Sequence, residues 1–323
     1  MRRAGFIILM VALFGALIAG ASLLGGWKGS GPAQADAVFV VPKGASFRAV
    51  TDRLEAEGLV RSADSFYLRA RLFAGSPVIK AGEYLIPKQA SNRDIVAILT
   101  EGTVISRFVT VPEGMPSVMV QERLMAAEGL TGAVDVPPEG SVLPDTYAYD
   151  RGESRAIVLA RMQAAMKQAL DEAWAKRSPR TVVTSKQEAL TLASIVEKET
   201  SIPAERPTVA GVYSNRLRMG MRLQADPTII YPITKGKPLG RRIRRSEITA
   251  VNGYNTYSMA GLPKGPIANP GKSAIVAVLN PAETKALYFV ADGKGGHIFA
   301  DTLEQHNANV RKWFAIRRAR GEI

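Results

Sequence analysis

The sequence predicts an α+β protein with a single N-terminal transmembrane helix, a small module of mixed strands and helices, and a larger mixed domain. Three observations predict this organisation: an uncharged apolar run opens the chain, short strands and helices follow it, and helical periodicity then alternates with short strands to the end. At 323 residues the chain is long enough for two domains. The predicted parts are a cytoplasmic tip and anchor at 1–28, a linker at 29–37, the small module at 38–103 and the larger domain at 104–323.

The N-terminal run predicts a membrane anchor. Arg2 and Arg3 precede an uncharged stretch, Ala4 to Trp27, that is long enough to cross a bilayer as a helix. The positive-inside rule places the two arginines in the cytoplasm and the chain after the anchor on the other side of the inner membrane. No second apolar run of this length occurs, so the chain is predicted to cross the membrane once.

A cleaved signal peptide is the alternative interpretation of the same run. Ala33-Gln-Ala35 has the small-x-small form of a cleavage site. The apolar run is longer than a typical signal core, and the candidate site lies some distance beyond it. We therefore favour an uncleaved anchor followed by a flexible tether rich in Gly, Ser, Pro and Ala.

Composition excludes some chemistry and leaves the partner of the basic surface open. The chain has no cysteine, which excludes disulfides, thiolate metal sites and cysteine nucleophiles. Its formal net charge is +13, and the cations are densest in Lys235 to Arg245 and in the tail Arg311 to Arg320. Outside the cytoplasm, anionic lipid headgroups or acidic cell-wall polymers are favoured over nucleic acid as partners. A solvated basic surface without a dedicated partner is the alternative.

The small module contains no catalytic constellation. Its acids and bases are scattered and it has no histidine, so we interpret it as a binding or spacer module. Ser46 is a plausible N-cap for the first helix, in which Phe47, Val50 and Leu54 recur at helical spacing. The predicted elements are strands at 38–42 and 82–86 and helices at 46–57, 62–73 and 91–99.

The larger domain is predicted to be richer in helix. Gly220 suits the C-terminal cap of one helix, and the Gly-rich segment Asp292 to Gly296 is interpreted as a hairpin turn before His297-Ile-Phe299. Residues 139–147 are interpreted as a turn-rich loop. The predicted elements are strands at 104–111 and 286–291, helices at 154–176, 204–218 and 272–279, helices beginning near 118 and 185, and a closing helix that carries the basic tail.

One helix carries a glutamate where a leucine is expected. Leu192, Ile195 and Val196 line one face, and Glu199 falls seven, four and three positions after them, on the same stripe. Glu197 lies about 160° away around the helix, so the two glutamates do not share a face. A carboxyl among apolar neighbours has a raised pKa, as a general acid requires at neutral pH. The alternative is a glutamate at the edge of the stripe that reaches solvent or pairs with an arginine.

Metal and serine chemistry are weakly supported, and no cofactor is predicted. His297 and His306 are not spaced as i and i+4, and neither lies in an HExxH-type motif. No GxSxG sequence provides a nucleophile elbow. The larger domain is therefore predicted to act without a metal ion.

Polar and aromatic residues concentrate on non-periodic backbone between residues 224 and 269. Amides, hydroxyls and aromatic faces suit a sugar-binding groove, because sugars offer hydroxyl edges and apolar C–H faces. Each residue alone is also explained by turn chemistry, and Asp226 before Pro227 is a candidate helix cap. Together with the semi-buried Glu199 they favour a glycan site. The predicted substrate-binding residues here are Gln224, Asp226, Thr228, Tyr254, Asn255, Thr256, Tyr257 and Asn269.

Five segments resemble the endolytic murein transglycosylases of the YceG-like (MltG) family. The resemblance extends from about Val38 to the last helix and implies a single N-terminal anchor, a LysM-like module and a periplasmic catalytic domain. One departure is Lys264, where the family commonly has a proline, and the basic stretch from residue 235 is more basic than the family implies. The segments are Leu192 to Thr200, Asn215 to Thr228, Tyr254 to Tyr257, Gly261 to Ile267 and Tyr288 to His297.

The resemblance implies a reaction and a catalytic residue. The second glutamate of the Glu-Lys-Glu-Thr motif, here Glu199, is implied to be catalytic, and Asn215 joins the predicted substrate-binding residues. The implied reaction cleaves the β-1,4 bond between N-acetylmuramic acid and N-acetylglucosamine within a glycan strand and leaves a 1,6-anhydro end. Nascent strands are the expected substrate, whose elongation such cleavage would terminate, and a peptidoglycan synthase is a plausible partner.

Three other functions remain open on the sequence. A muramidase needs a partner carboxylate, which Asp226 or Glu197 would supply, and helical phase argues against Glu197. A non-catalytic wall-binding scaffold would not depend on Glu199. A cytoplasmic nucleic-acid binder conflicts with the predicted anchor and its orientation.

Overall fold

The computed structural model describes residues 2–75 and 77–322. Met1 of the predicted cytoplasmic tip lies outside the described residues. The chain forms two compact units, Met1–Arg107 and Phe108–Ile323. Helices and short strands occur in both, so the predicted mixed α+β class is confirmed.

The first helix, α1 (Arg2–Lys28), is the candidate membrane span. Its segment Met10–Lys28 is long and apolar enough to cross a bilayer. Its large apolar side chains are exposed, and Phe14 and Leu17 each show about two thirds of their surface. Near the end of the helix, Trp27 is buried and stacks on Phe73 at 5.4 Å. The span is thus a candidate by length and composition, and its topology stays a prediction.

The first unit packs three helices and a two-stranded antiparallel sheet around one core. The predicted N-cap Ser46 is confirmed, and Ser62 and Ser91 likewise each accept a backbone N–H at the start of a helix. The strands pair from Ala37 with Ile86 to Val41 with Gly82. The predicted strands and helices of this unit are confirmed. They are β1 (Ala37–Val41), α2 (Phe47–Ala56), α3 (Ala63–Ala74), β2 (Gly82–Ile86) and α4 (Asn92–Glu101).

The second unit is mainly helical, with two small two-stranded sheets in which β3 pairs with β4 and β5 with β6. A single 3₁₀ turn, Pro203–Glu205, separates α7 from α8. The elements are β3 (Arg107–Thr110), α5 (Ser117–Ala126), β4 (Thr146–Tyr149), α6 (Arg155–Ala175), α7 (Lys186–Glu199), α8 (Arg206–Arg218), α9 (Asp226–Thr234), α10 (Arg245–Thr249), α11 (Lys272–Leu279), β5 (Tyr288–Ala291), β6 (His297–Ala300) and α12 (Leu303–Ala319).

Helix α7 is the centre of this unit. It packs against α8 and α11, and every residue from 189 to 197 is buried. The sequence predicts one apolar stripe, whereas the structure covers the helix on all sides. A helix enclosed in this way has little freedom to rotate or shift, because the surrounding side chains are close-packed. The last residue of the helix is therefore held in a fixed position.

Three sequence predictions in this unit are wrong. The region after Gln224 is not wholly irregular, since it contains α9 and α10. Asp226 is not a helix cap: Ala225 occupies that position and Asp226 is the first residue of α9. The sequence pattern does not indicate α9, because Pro232 lies inside it and proline usually breaks a helix. Strand β4 (Thr146–Tyr149) begins inside residues 139–147, the segment interpreted as a loop.

The C-terminal hairpin is confirmed. Strands β5 and β6 pair antiparallel, with Ala291 opposite His297, and the Gly-rich segment joins them. The Asp292 carboxylate accepts hydrogen bonds from the backbone N–H groups of Lys294 and Gly296 at 2.6 and 2.9 Å. Gly293 and Gly295 have φ of +79° and +100°, which favour glycine. Helix α12 packs on both strands.

The basic stretch is largely exposed. Lys237 pairs with Glu122 at 2.6 Å, and Arg241 pairs with Glu247. In the described part of the chain, the other cations of this stretch make no ion pair of this kind. Its sequence-predicted role as a polyanion or lipid contact stays a prediction.

Candidate active site

Glu199 is the last residue of α7 and lines a cavity of about 410 Å³. Its side chain is half-buried, and its Oε1 is buried without a hydrogen-bond partner among the described residues. The rest of the wall comes from Thr200 and Ser201, from the glycine turn between β5 and β6, and from α12. The stripe position predicted from helical phase therefore brings the carboxyl to the edge of a cavity.

The surroundings of Glu199 favour its neutral form. Burial raises the pKa of its carboxyl to about 7, and the negative charge of Asp226 adds to the effect. A hydrogen bond with the buried Tyr213 hydroxyl and the charge of Arg216 act in the opposite direction and do not cancel it. A carboxyl with a pKa near neutrality can donate a proton and take it back, as general acid and base catalysis requires.

Glu197 has a different environment although it is only two residues away. Its Oε1 accepts a hydrogen bond from Arg206 at 2.7 Å, and its Oε2 accepts one from the Gly271 N–H at 2.9 Å. Arg206 also pairs with Glu113 at 2.8 Å and donates to Ser273. Burial raises the pKa of Glu197, while the Gly271 hydrogen bond and the Arg206 charge oppose that rise. Both of its oxygens are occupied, so it is not free to act on a substrate.

Another carboxylate, Glu205, joins two residues of the cavity wall, Thr200 and His297. It accepts hydrogen bonds from the Thr200 hydroxyl at 2.9 Å and from the His297 N–H at 2.8 Å, and its Oε2 lies 2.7 Å from His297 Nδ1. Partial burial acts to raise the pKa of Glu205, but the hydrogen bonds with His297 and Thr200 outweigh it and lower the pKa. The motif threonine and the hairpin histidine are thus held together.

Four of the predicted substrate-binding residues between positions 224 and 269 have side chains at least partly open to solvent. Asp226 accepts a hydrogen bond from the Tyr257 hydroxyl at 2.7 Å, and its charge acts on Glu199. Tyr254 packs on Tyr231 at 4.7 Å, and Gln224 is exposed with φ of +52°. The structure brings Asp226 and Tyr257 into the electrostatic neighbourhood of Glu199.

The other predicted residues of that region lie inside the fold, and their polar groups, like that of the partly exposed Asn215, bond to the protein. Thr228 and Thr256 share a hydrogen bond at 2.9 Å, and the Asn255 amide donates to three carbonyls in and directly after α10. Asn269 accepts from the Val142 N–H and donates to Met115, and Asn215 donates to two carbonyls that precede β5. Thr228, Asn255, Thr256 and Asn269 have no exposed surface. These side chains hold the loops in shape.

Sequence reasoning missed several residues of this site. They are Tyr213, Arg216, Glu205 and the α12 residues that line the cavity. Tyr213 lies on the predicted apolar face of α8, so periodicity assigns it to the core. Glu205 and His297 are 92 residues apart in the sequence, and no local pattern links them.

Lys198, the residue before Glu199, lines a second cavity of about 470 Å³. Its wall is mostly apolar and includes Met115, Met119, Ile230 and Leu239. The Lys198 ammonium lies 3.4 Å from the Gly114 carbonyl oxygen. The end of α7 therefore presents consecutive residues to two different cavities.

The two glutamates at the C-terminal end of α7 should differ in their effect on stability. We expect Glu197→Gln to lower the free energy of unfolding by about 3 kcal/mol, because it removes one partner of a buried ion pair. Glu199→Gln, the matched substitution, should not lower that free energy at neutral pH, because glutamine resembles the neutral carboxyl that burial favours. Denaturant unfolding followed by tryptophan fluorescence measures both. Equal losses in the two variants would contradict this assignment.

The stability effect of Glu199 should also depend on pH. A carboxyl whose folded pKa is raised to about 7 contributes stability below its unfolded pKa, near 4.5, and loses it as the pH rises through 7. Glu199→Gln cannot ionise and escapes this loss. We expect the free energy of unfolding of the variant, minus that of wild type, to increase from pH 5 to pH 8. A constant difference over that range would show that Glu199 has an ordinary pKa.

Comparison with known proteins identifies relatives over most of the chain. A relative from Bacillus subtilis (strain 168) named "Endolytic murein transglycosylase" is 27% identical over 93% of this chain and 92% of its own length. A protein of the same name from Streptococcus pneumoniae serotype 2 is 27% identical over 84% of this chain, which spans 57% of that relative.

A solved structure and a family model agree with these relatives. The crystal structure of a yceG-like protein from Listeria monocytogenes is similar to this chain, with a TM-score of 0.56 and 26% identity over 85% of this chain and 99% of that one. The model of the YceG-like family matches residues 39–312. The chain thus belongs to the YceG-like family.

Proposed function

We propose that this protein is a peptidoglycan lytic transglycosylase that uses Glu199 as its acid and base. One observation carries the proposal: Glu199 lies at the edge of a cavity, and burial raises the pKa of its carboxyl to about 7. The names of its relatives from Bacillus subtilis and Streptococcus pneumoniae support the same activity. The proposed substrate is the glycan strand, and the proposed cut lies within it.

The proposed reaction proceeds in two proton transfers. The neutral Glu199 carboxyl donates its proton to the oxygen of the β-1,4 bond between N-acetylmuramic acid and N-acetylglucosamine, and the bond to the muramic acid C1 breaks. The resulting carboxylate then takes the proton of that sugar's own C6 hydroxyl as its oxygen attacks C1. The product is a 1,6-anhydro end, and Glu199 is protonated again. Because the nucleophile belongs to the substrate, its proximity replaces an activated water.

The other carboxylates of the region favour this route over hydrolysis. A muramidase needs a second free carboxylate to activate water or to form a covalent intermediate. Both oxygens of Glu197 are occupied by Arg206 and Gly271. Asp226 accepts a hydrogen bond from Tyr257. These contacts support a mechanism in which one carboxyl acts alone.

The proposal includes a location and a domain plan. Residues 1–28 would form the cytoplasmic tip and inner-membrane anchor, 29–37 the linker, 38–103 a LysM-like module and 104–323 a periplasmic catalytic domain. The exposed apolar helix supports the anchor, and the absence of catalytic groups in the small module supports a binding role. An enzyme anchored in the membrane would cleave new strands beside a peptidoglycan synthase and so terminate their elongation.

The partly open polar residues are proposed to contact the glycan, and the buried ones to support them. Gln224, Asp226, Tyr254 and Tyr257 have side-chain surface available to a ligand. Thr228, Asn255, Thr256 and Asn269 would act indirectly, by fixing the loops that carry the first group. Asn215 would act in the same way through the segment before β5.

Digestion of purified glycan strands tests the activity. We expect the full-length protein in detergent to release fragments with 1,6-anhydro ends, and Glu199→Gln to lower the rate by at least about 100-fold, because it cannot transfer a proton. Glu172→Gln, an exposed glutamate on α6, is the matched control and should retain full activity. Mass spectrometry separates the outcomes, since hydrolysis would give products heavier by one water. Equal cleavage by Glu199→Gln and wild type would refute the assignment of the acid.

The dependence of cleavage on pH should follow the proton of Glu199. The first step requires the neutral carboxyl, so kcat/KM should fall as the pH rises through about 7. Removing the negative charge of Asp226 should lower the Glu199 pKa, so that kcat/KM falls at a lower pH than in wild type. We expect Asp226→Asn to show that shift in a series of rate measurements between pH 5 and 9. If kcat/KM falls at the same pH in this variant, the Asp226 charge is excluded as a cause of the raised Glu199 pKa.

A further inference from the structure

The cavity beside Glu199 has a wall that the proposed proton transfers do not use. Helix α12 supplies Trp313 to this wall, Arg320 follows directly after the helix, and the glycine turn between β5 and β6 supplies backbone. Both side chains lie outside residues 39–312, the part of the chain that the family model matches. We propose that this cavity is the binding site for the muramic acid residue, in which Trp313 packs on the sugar and Arg320 binds a carboxylate carried by that residue or by its stem peptide.

This inference rests on the proposed function, because it names the sugar that is placed beside Glu199. A glycan strand alternates two sugars and therefore two β-1,4 bonds. A single acid cannot distinguish these bonds, since both are acetal linkages between similar rings. The anhydro product requires the muramic acid to lie on the C1 side of the cut. Some group near Glu199 must therefore recognise the sugar, and only muramic acid carries a carboxylate-bearing substituent.

The fold holds α12 firmly against the cavity. The helix begins with a capping box between Thr302 and Gln305, and His306 stacks on Tyr288 of β5 at 5.2 Å. A Cβ added to Gly293 would lie 3.1 Å from Ile316 Cδ1 and 3.4 Å from Trp313 Cζ3. The turn and the helix are therefore in close contact. Trp313 is positioned by this packing.

The shape of the wall suits a sugar ring. Trp313 is half-buried and offers an apolar surface, on which the C–H face of a sugar can pack. A Cβ added to Gly295 would meet no atom within 4 Å, so the backbone of the turn is open on the cavity side. The volume of about 410 Å³ falls within the range of small-ligand sites, about 300–1,000 Å³.

The charge of the wall suits an anion. Arg320 is positively charged at all relevant pH values, and Glu199 is neutral in the form that starts the reaction. The Arg320 guanidinium donates to the Gly293 carbonyl and lies 3.8 Å from the Glu322 carboxylate, in a pair exposed to solvent. Exposed pairs of this kind are weak, about 0–1 kcal/mol. A guanidinium has five N–H donors, so it can bind a carboxylate while the turn holds it.

Binding to three carbohydrates tests the site. The full-length protein in detergent carries Glu199→Gln throughout, so that no cleavage occurs. The ligands are amidase-stripped strands with free lactyl carboxylates, strands that keep their stem peptides, and chitin oligosaccharides without any carboxylate. Arg320→Gln should weaken binding to at least one kind of strand about tenfold, as expected for a charge-assisted hydrogen bond. The preference for strands over chitin should fall by the same factor.

The pattern of losses identifies the source of the carboxylate. A loss on stripped strands alone assigns it to the lactyl group, and a loss on peptide-bearing strands alone assigns it to the stem peptide. Arg318→Gln, which removes an exposed cation from α12, is the matched control and should bind like the parent. If Arg320→Gln and Arg318→Gln bind both kinds of strand with the same affinity, the carboxylate site is refuted. Added salt should weaken parental binding more than that of Arg320→Gln.

The tryptophan is tested with two substitutions, because a large change can unfold the helix. Trp313→Phe should keep most of the affinity for all three ligands, whereas Trp313→Leu should lose it with an unchanged melting temperature. Equal binding by Phe and Leu variants would refute packing of the sugar on an aromatic ring.

Cleavage by otherwise wild-type protein separates this inference from the proposed function. Arg320→Gln should raise KM about tenfold with little change in kcat, and the fragments should keep anhydro ends. Anhydro products together with unchanged KM would refute the site and leave the proposed function standing. Binding that depends on Arg320, without any anhydro product from wild type, would refute the proposed function and leave the site standing.

Discussion

The buried ion pair between Glu197 and Arg206 fixes the position of everything around it. Arg206 begins α8 and also binds Glu113, which follows β3, while Glu197 accepts a hydrogen bond from Gly271 at the start of α11. The consecutive helices α7 and α8 therefore meet two segments from distant parts of the chain at one ion pair. Buried charges are costly unless they are paired and hydrogen-bonded, so the segments are held together by the cost of separating them. The end of α7, and Glu199 with it, is set by this arrangement.

Two glutamates two residues apart have different environments, and their partners cause the difference. Burial raises the pKa of both carboxyls, but Glu197 faces a permanently charged guanidinium and a backbone N–H, which oppose that rise and occupy both of its oxygens. Glu199 faces burial, the Tyr213 hydroxyl and the negative charge of Asp226, and the balance raises its pKa to about 7. Their separation of about 160° around the helix sends them to different neighbours. Helix geometry therefore places one glutamate in a structural ion pair and the other at the cavity.

Local patterns were enough to predict the helices with serine caps, the C-terminal hairpin and the stripe position of Glu199. They failed where tertiary packing overrides propensity. Sequence patterns do not predict α9 because it contains Pro232. A helix that is packed on its neighbours tolerates a proline that an isolated helix would not. The pairing of Glu205 with His297 depends on two elements that meet only in the folded chain. Polar residues such as Asn269 look like ligands in a sequence, and only burial shows that they bond to the fold.

The arrangement of acids bears on why such a site would need no water. Each carboxylate that could activate a water has a partner: Glu197 has Arg206, Glu205 has His297 and Thr200, and Asp226 has Tyr257. A base that already accepts strong hydrogen bonds is a poor acceptor for a further proton, because those bonds must be weakened first. Glu199 also accepts a hydrogen bond, from Tyr213, but it lines the cavity and burial raises its pKa to about 7, so it is the carboxyl that can exchange a proton with a substrate there. A nucleophile supplied by the substrate, with its proton delivered to that one carboxyl, is the chemistry that this distribution of hydrogen bonds favours.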